Sequence, residues 1–337
     1  MKEAWLTNAS TSSLSNSAMD RLWDLWCCLS IVGIWPRFVE PNLIATRLLT
    51  LPVPNLPADL EGLRLVHFSD LHINSHLSNR FLGRLVDKIM KAKPDLIAFT
   101  GDFLCKSQLY DPERLQTFLC ALDAPFGCFA VLGNHDYSEP ISIHPNTGDY
   151  DVLLNDQSPL KQGFKRFFRT VFLSQKISER ARAVTPHQGL VSLLQSTPFI
   201  LLENETRQIP IQKSFINLSG LGEYTAGKLD TAKAFAQWDP RYPSIVLAHN
   251  PDSIPRLAAY PSALILCGHT HGSQINLPGI WQRFTTIENL HLRKGLVQVD
   301  NQRAYISSGV GSLMRFRWRA IPELLVISLQ ALRGRAA

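Results

Sequence analysis

The sequence predicts an α/β protein with a largely parallel sheet and an active site at the carboxyl edge of its strands. Three observations carry this. Five short apolar runs each stop at residue types that bind metals. Apolar residues at helical spacing separate the first of these runs. The order strand, helix, strand, helix, strand then implies parallel pairing through right-handed crossovers, with ligands gathered where the strands end. Residues 63–68 run into Asp70 and His72, 96–100 into Gly101-Asp102, and 130–132 into Gly133-Asn134-His135-Asp136. Residues 245–248 run into His249-Asn250, and 264–267 into Gly268-His269-Thr270-His271. A carboxamide, an imidazole and a carboxylate on consecutive residues at the tip of a buried strand are costly unless something binds them.

At 337 residues the chain can bury a large core, as one domain or one domain with an insertion. An apolar content of 45% against 18% charged fits a globular protein and argues against disorder. The net charge of +6 and pI near 9.0 point to an anionic partner: nucleic acid, an anionic membrane surface or a phosphorylated substrate. The six cysteines (27, 28, 105, 120, 128 and 267) show no paired metal spacing. Buried free thiols in a reducing compartment are the simplest reading.

Residues 1–20 are polar and rich in Ser, Asn and Thr, and read as a poorly ordered tail. Residues 21–36 read as an amphipathic helix in the membrane interface, with Trp23, Trp26 and Trp35 flanked by Arg21 and Arg37. Its apolar run of about fourteen residues, interrupted by Asp24, falls short of the roughly 20 needed to span a bilayer. It also begins late for a signal peptide and lacks a small-residue cleavage site behind it. Packing of this helix on the protein's own core is the alternative. Residues 37–61, where four prolines fall between Glu40 and Asp59, read as an extended connector.

Phe81, Leu82, Leu85, Val86, Ile89 and Met90 repeat at helical spacing, and Pro94 marks the end of that helix. Asp111-Pro112-Glu113 is an N-cap, a first-position proline and an acidic first turn, followed by the stripe Leu115, Phe118, Leu119 and Leu122. Residues 139–187 break the alternation as an inserted lid, loop-like from 140 to 159. Residues 161–182 set seven basic residues against Glu179 alone, a net +6 equal to the whole chain's excess. Phe164, Phe167, Phe168, Val171, Phe172 and Leu173 interleave with them at amphipathic spacing. Either this helix packs down with a solvated basic face, or it meets an anionic, partly apolar ligand or membrane through Arg166, Arg169, Phe168 and Phe172. From residue 189 the fold resumes, with helices over 190–194 and 229–238 and strands over 199–202 and 215–221.

The candidate metal ligands are Asp70, His72, Asp102, Asn134, His249, His269 and His271. Three oxygen ligands and four imidazoles suit borderline divalent ions better than an all-oxygen calcium cage, with Mn expected and Fe, Zn, Co and Ni also suited. Seven ligands exceed one four-coordinate site, so two ions sharing a bridging carboxylate is the economical arrangement. Asp102, a lone carboxylate at a central strand end, is the natural bridge. Asp70 and His72 point the same way if strand geometry persists there. His135 is placed to protonate a leaving oxygen.

Taken in order, Asp-x-His, Gly-Asp, Gly-Asn-His-Asp, His and Gly-His-x-His resemble the calcineurin-like metallophosphoesterases over roughly residues 62–330. The resemblance implies a four-layer α/β/β/α sandwich with a two-metal site on loops at the sheet edge, followed by a tail at 331–337. It implies one metal on Asp70, His72, Asp102 and His271, and another on Asp102, Asn134, His249 and His269. His135, supported by Asp136, would assist the leaving group. His67, His76, His144, His187 and His291 match no block and read as structural or surface residues. Within the family, residues 307–311 with Arg315 and Pro322-Glu323, the basic insertion and the tryptophan-rich start resemble the UDP-2,3-diacylglucosamine pyrophosphatases of lipid A biosynthesis. That subgroup implies a nucleotide-lipid substrate cleaved to UMP and 2,3-diacylglucosamine 1-phosphate (lipid X). It also implies peripheral attachment at the cytoplasmic side of the inner membrane, and no nucleic acid partner. Two readings of other classes stay open at this level: a broad phosphodiesterase or phosphatase on soluble nucleotides or nucleic acid, and a non-catalytic scaffold.

Overall fold

The computed structural model describes residues 12–153 and 173–332. Two six-stranded sheets dominate it. The first runs β1 (Ala45–Val53), β14 (Glu323–Ala331), β2 (Arg64–Phe68), β3 (Leu96–Thr100), β4 (Cys128–Val131) and β7 (Phe199–Leu201). Strands β2, β3, β4 and β7 pair in parallel, and β14 lies antiparallel to β2 but parallel to β1. The second sheet runs β12 (Gly295–Val299), β13 (Gln302–Ile306), β11 (Leu264–Cys267), β10 (Ser244–Leu247), β9 (Ser214–Gly220) and β8 (Glu205–Ile211). Its central four strands are parallel, and β8 and β12 are antiparallel edges.

Alternation of side chains along each strand builds the layers. Leu65, Leu96, Ala98, Phe129 and Val131 pack against Ile216, Leu218, Ile245, Leu247, Leu264 and Leu266 of the other sheet. Their neighbours Val66, Phe68, Ile97 and Phe99 face outward onto Phe81, Leu85 and Ile89 of α2 (Asn79–Lys91) and Leu115, Phe118 and Leu119 of α3 (Pro112–Cys120). On the far side Val246, Ile265, Cys267 and Ile306 lie under Phe235, Ile254, Leu257 and Leu292. Strands buried on both faces are near-continuous apolar runs, which is why the five motif strands are legible in sequence. The result is the four-layer α/β/β/α arrangement. Side-chain caps fix the helix starts: Ser78 accepts from the Phe81 N–H and Asp111 from the Arg114 N–H.

Several elements differ from the sequence expectation. Helix α1 (Ser12–Val32) begins inside the stretch expected to be a poorly ordered tail, because helix propagation carries the apolar run back through its polar approach. With the two short helical turns after it, the 24-residue stretch Met19–Asn42 is by length and composition alone long and apolar enough to cross a membrane. It is longer than the apolar run of about fourteen residues within it. The expected connector contains β1, an edge strand that accommodates Pro52. The loop-like start of the insertion holds a hairpin, β5 (Ile141–Ile143) with β6 (Tyr150–Val152). Two short helices follow, α4 (Glu179–Ala183) and α5 (Gln188–Leu194). The helix expected over 229–238 shrinks to α6 (Thr231–Ala234), capped by Asp230. Arg166, Arg169, Phe168 and Phe172 lie outside the described residues. All six cysteines are free, and Cys105, Cys128 and Cys267 are buried.

Candidate metal centre

The carboxyl ends of β2, β3 and β4 in one sheet and of β10 and β11 in the other deliver the site. The seven candidates lie two to four residues past the ends of these strands, and all of them converge. His72 Nε2 lies 3.0 Å from His271 Nε2 and 3.4 Å from Asp102 Oδ2. His271 Nε2 is 3.6 Å from Asp70 Oδ1. On the other side of Asp102, His249 Nε2 is 3.3 Å from the same Oδ2 and 3.0 Å from Asn134 Oδ1. His269 Nδ1 is 2.9 Å from Asn134 Oδ1 and 3.3 Å from His249 Nε2. Asp102 Oδ2 therefore stands between two clusters.

The strands do not continue to the ligands. Asp70, His72, Asp102, His269 and His271 all adopt positive φ, between 45° and 68°. Left-handed backbone at non-glycine residues is strained and persists only where its surroundings over-determine it. Here the loops hold one another: the Asp70 N–H donates to Gly101 O at 2.9 Å and the His72 N–H to Asp102 O at 2.9 Å. The expectation that Asp70 and His72 share a strand face is thus corrected, because β2 ends at Phe68 and these loop contacts aim both side chains. A Cβ at Gly133 would overlap the Asp102 carboxylate, and one at Gly268 would overlap Ser69 Oγ and sit 2.5 Å from Asp70 Oδ2. Both glycines are needed for close approach.

The donor set fits divalent cations. The Nδ1 atoms of His72 and His249 lie 3.0 Å from Leu104 O and 2.7 Å from Thr100 O. A carbonyl only accepts, so each Nδ1 carries a ring proton and Nε2 is the nitrogen that faces the centre. Ligating atoms of Asp70, His72 and His271 lie within 4.8 Å of one another, as do those of Asp70, Asp102 and His249, and of His72, Asp102 and His135. Burial raises the Asp70 carboxyl. Burial would raise Asp102 as well, but His249, His135 and His72 together hold it well below the usual carboxylate range. Burial pushes His135 down to about 4 and His269 down to about 3. Such strongly perturbed, clustered groups mark a site that binds charge.

One expectation changes. Asp136 does not support the His135 ring: its Oδ2 accepts the N–H groups of Asp102 at 2.7 Å and Gly133 at 2.9 Å, and its Oδ1 that of Leu104 at 2.9 Å. It ties the β3 and β4 loops together, and burial raises its own carboxyl to about 7. His135 lines the cleft beside Asp102, Asn134, His269 and His271, with its ring 5.1 Å from that of His72. Its Nδ1 is buried without a hydrogen-bond partner among the described residues. The cleft's other walls include Leu153, Ile275, Leu313 and Met314. Of the unmatched histidines, His67 is buried against Thr100 Oγ1 at 2.8 Å and His187 caps α5.

Sequence reasoning missed Thr100, whose carbonyl orients His249, and Arg317, whose Nη2 lies 3.3 Å from His271 Nδ1. The chain is 37% identical over 311 residues to the UDP-2,3-diacylglucosamine pyrophosphatase LpxG of Chlamydia trachomatis, covering 88% of this chain and 92% of that protein. It is 36% identical to LpxG of Chlamydia muridarum over the same shares, and 25% identical to the uncharacterized metallophosphoesterase YkuE of Bacillus subtilis over 88% and 89%. The model of the calcineurin-like phosphoesterases matches residues 63–273, the span that supplies all seven clustered ligands. The chain belongs to that family of metal-dependent hydrolases acting on phosphoester and pyrophosphate bonds.

Proposed function

We propose that the chain cleaves UDP-2,3-diacylglucosamine to UMP and 2,3-diacylglucosamine 1-phosphate at a membrane surface, with two divalent ions, Mn the expected metal. The observation that carries the chemistry is the placement of one Asp102 oxygen 3.4 Å from His72 Nε2 and 3.3 Å from His249 Nε2. Asp70, His72, Asp102 and His271 would hold one ion, and Asp102, Asn134, His249 and His269 the other. Bound there, the ions supply Lewis-acid stabilisation of phosphoryl charge and acidify water. Asp102 contributes the shared negative charge, and Asn134 adds a neutral oxygen. His135 is assigned to the leaving oxygen as proton donor, with Asp136 a positioning residue that acts through the loops.

The substrate reading rests on the near full-length similarity to LpxG. Two features suit a lipid. The cleft pairs its polar floor with Ile275, Leu313 and Met314, and α1 exposes Leu22, Trp23, Trp26 and Leu29. We assign the exposed part of the membrane-interface stretch 21–36, the end of α1, to the cytoplasmic membrane face and the basic insertion to the anionic, acylated substrate. Hydrolysis of purified UDP-2,3-diacylglucosamine with added Mn, with products resolved by mass, tests this. UMP and lipid monophosphate released at a rate well above that for a soluble phosphodiester are expected. Equal turnover of soluble nucleotides without preference for the acylated substrate would refute the lipid assignment and leave the metal centre standing.

A further inference from the structure

Arg317 is the largest completely buried side chain in the described protein. Its Nη1 donates to Ser308 O at 2.7 Å and Ala320 O at 2.8 Å. Its Nη2 donates to Gly311 O and lies 3.3 Å from His271 Nδ1. The loop it grips lies against Asp70: the Val310 N–H donates to Ser69 O at 2.9 Å and the Gly311 N–H to Asp70 O at 2.7 Å. One guanidinium therefore touches the ring of one candidate ligand and the loop that packs on another.

The backbone of Arg317 faces the opposite way. Its N–H donates to Pro36 O at 2.8 Å, and Arg37 Nη1 donates to Arg315 O at 2.8 Å. Glu40, 2% exposed, accepts the Trp35 indole N–H at 3.0 Å and the Ala320 N–H at 2.5 Å. The segment that follows the exposed apolar helix is thus seated on the loop that carries Arg317. A buried arginine with three carbonyl acceptors in a fixed fork is a geometric clamp, which a lysine cannot reproduce.

We propose that Arg317 is a positioning residue that makes residues 35–42 a structural part of the Asp70–His72–His271 half of the metal centre. The seat bears directly on that half. Among the described residues, no hydrogen bond from residues 35–42 or from Arg317 reaches Asn134, His249 or His269. Asn134 and His249 are oriented by Ile141 O, Thr100 O and each other, and the His269 ring by Asn134 and Thr286, although the His269 N–H also donates to Asp70 at 3.0 Å. The guanidinium only donates, so it does not take up the His271 Nδ1–H. It acts by holding the 308–311 loop against Asp70 and by packing beside the His271 ring. Loss of such outer support typically lowers metal affinity about 10–100-fold. The inference rests on the two-metal reading above, and its test separates the two.

Metal-free, full-length protein is titrated with Mn by calorimetry, with thermal unfolding of the metal-free form followed in parallel. Wild type takes up two ions. Arg317→Lys keeps the charge and loses the fork, so one of its two sites weakens about 10–100-fold while the other is unchanged. The weakened site is the one missing in His271→Ala. Glu40→Ala leaves Arg317 in place and frees Trp35 and the Ala320 N–H. It weakens the same site by less, and it carries the test should Arg317→Lys fail to fold. Two sites of wild-type affinity in both variants would overturn the proposal, as would equal weakening of both sites with a lowered unfolding temperature. Two tight ions in Asp102→Ala would instead overturn the two-metal reading beneath it.

Discussion

At the scale of the residue, the centre turns on Asp102. Its Oδ1 is taken by the His135 N–H at 2.9 Å, so Oδ2 is the oxygen left to stand between the clusters. Asp102→Ala removes the negative charge between two cations, and activity should fall by several orders of magnitude with reduced bound metal. Two tightly held metals and near-normal turnover would exclude the bridge. His135→Ala should lower turnover roughly a hundredfold to ten-thousandfold, the usual range for a general acid. Metal content should stay nearly intact, and substrates with good leaving groups should suffer less. Because His135 groups with His72 and Asp102, metal loss in that variant would redraw it as a ligand. Asp136→Asn offers one accepting oxygen where three backbone N–H groups need two. One donor is then orphaned, at a cost of about 1–3 kcal/mol, read as a lower urea midpoint with an unchanged slope. The ligand types at the strand ends were legible in the sequence, but the targets of Asp136 and Arg317 were not. Asp136 adjoins His135 in the chain yet points to the backbone of another loop. Arg317 sits in the alternating run Arg315-Phe-Arg-Trp-Arg319, where pattern alone does not say which arginine is buried.

At the scale of the element, legibility followed burial. Strands buried on both faces show continuous apolar runs, whereas β1 and β8 lie at sheet edges and mix apolar with polar residues and proline. Edge strands tolerate proline and a solvated face, so nothing local separates them from loops. The hairpin β5–β6 escaped for a different reason. Its strands are three residues each, and the parallel bridge of Tyr150 to Ile177 is a long-range contact. The insertion invites its own test. Arg166 and Arg169 lie three apart and Phe168 and Phe172 four apart, spacings that would bring each pair to one face were the segment helical. Charge reversal at both arginines should weaken turnover of the acylated nucleotide far more than that of a small aryl phosphodiester, because a charge-assisted bond to phosphate outweighs an exposed surface pair. Phe168→Ser with Phe172→Ser should show the same bias with little salt dependence. Equal losses on large and small substrates would assign the insertion to the fold.

At the scale of the whole molecule, the exposed apolar helix and the catalytic domain meet at a definable line. Helix α1 exposes Leu22, Trp23, Leu25, Trp26, Leu29, Ile31 and Val32, and the Trp23 and Trp26 rings stack at 5.4 Å. Beyond Gly33 the chain turns inward: Pro36 and Glu40 are buried, and the hydrogen bonds to the 315–320 loop begin. The position of a truncation therefore decides its effect. Removing residues 1–33 takes away the exposed apolar helix and leaves Trp35, Pro36 and Glu40 in their seats. That protein should move from the membrane to the soluble fraction, keep two metals and hydrolyse a soluble aryl phosphodiester at nearly the wild-type rate. Its rate on the acylated substrate presented in vesicles should drop, since the substrate is confined to the bilayer and the enzyme no longer is. Flotation of the intact and shortened proteins with anionic vesicles, before and after high salt and alkaline wash, measures the first expectation. Release of the intact protein by salt or alkali identifies a helix lying on the surface, and resistance to both identifies one that crosses. A shortened protein still bound to vesicles would transfer the attachment to the insertion, and one that lost its soluble activity would move the boundary between anchor and catalytic domain upstream of Gly33.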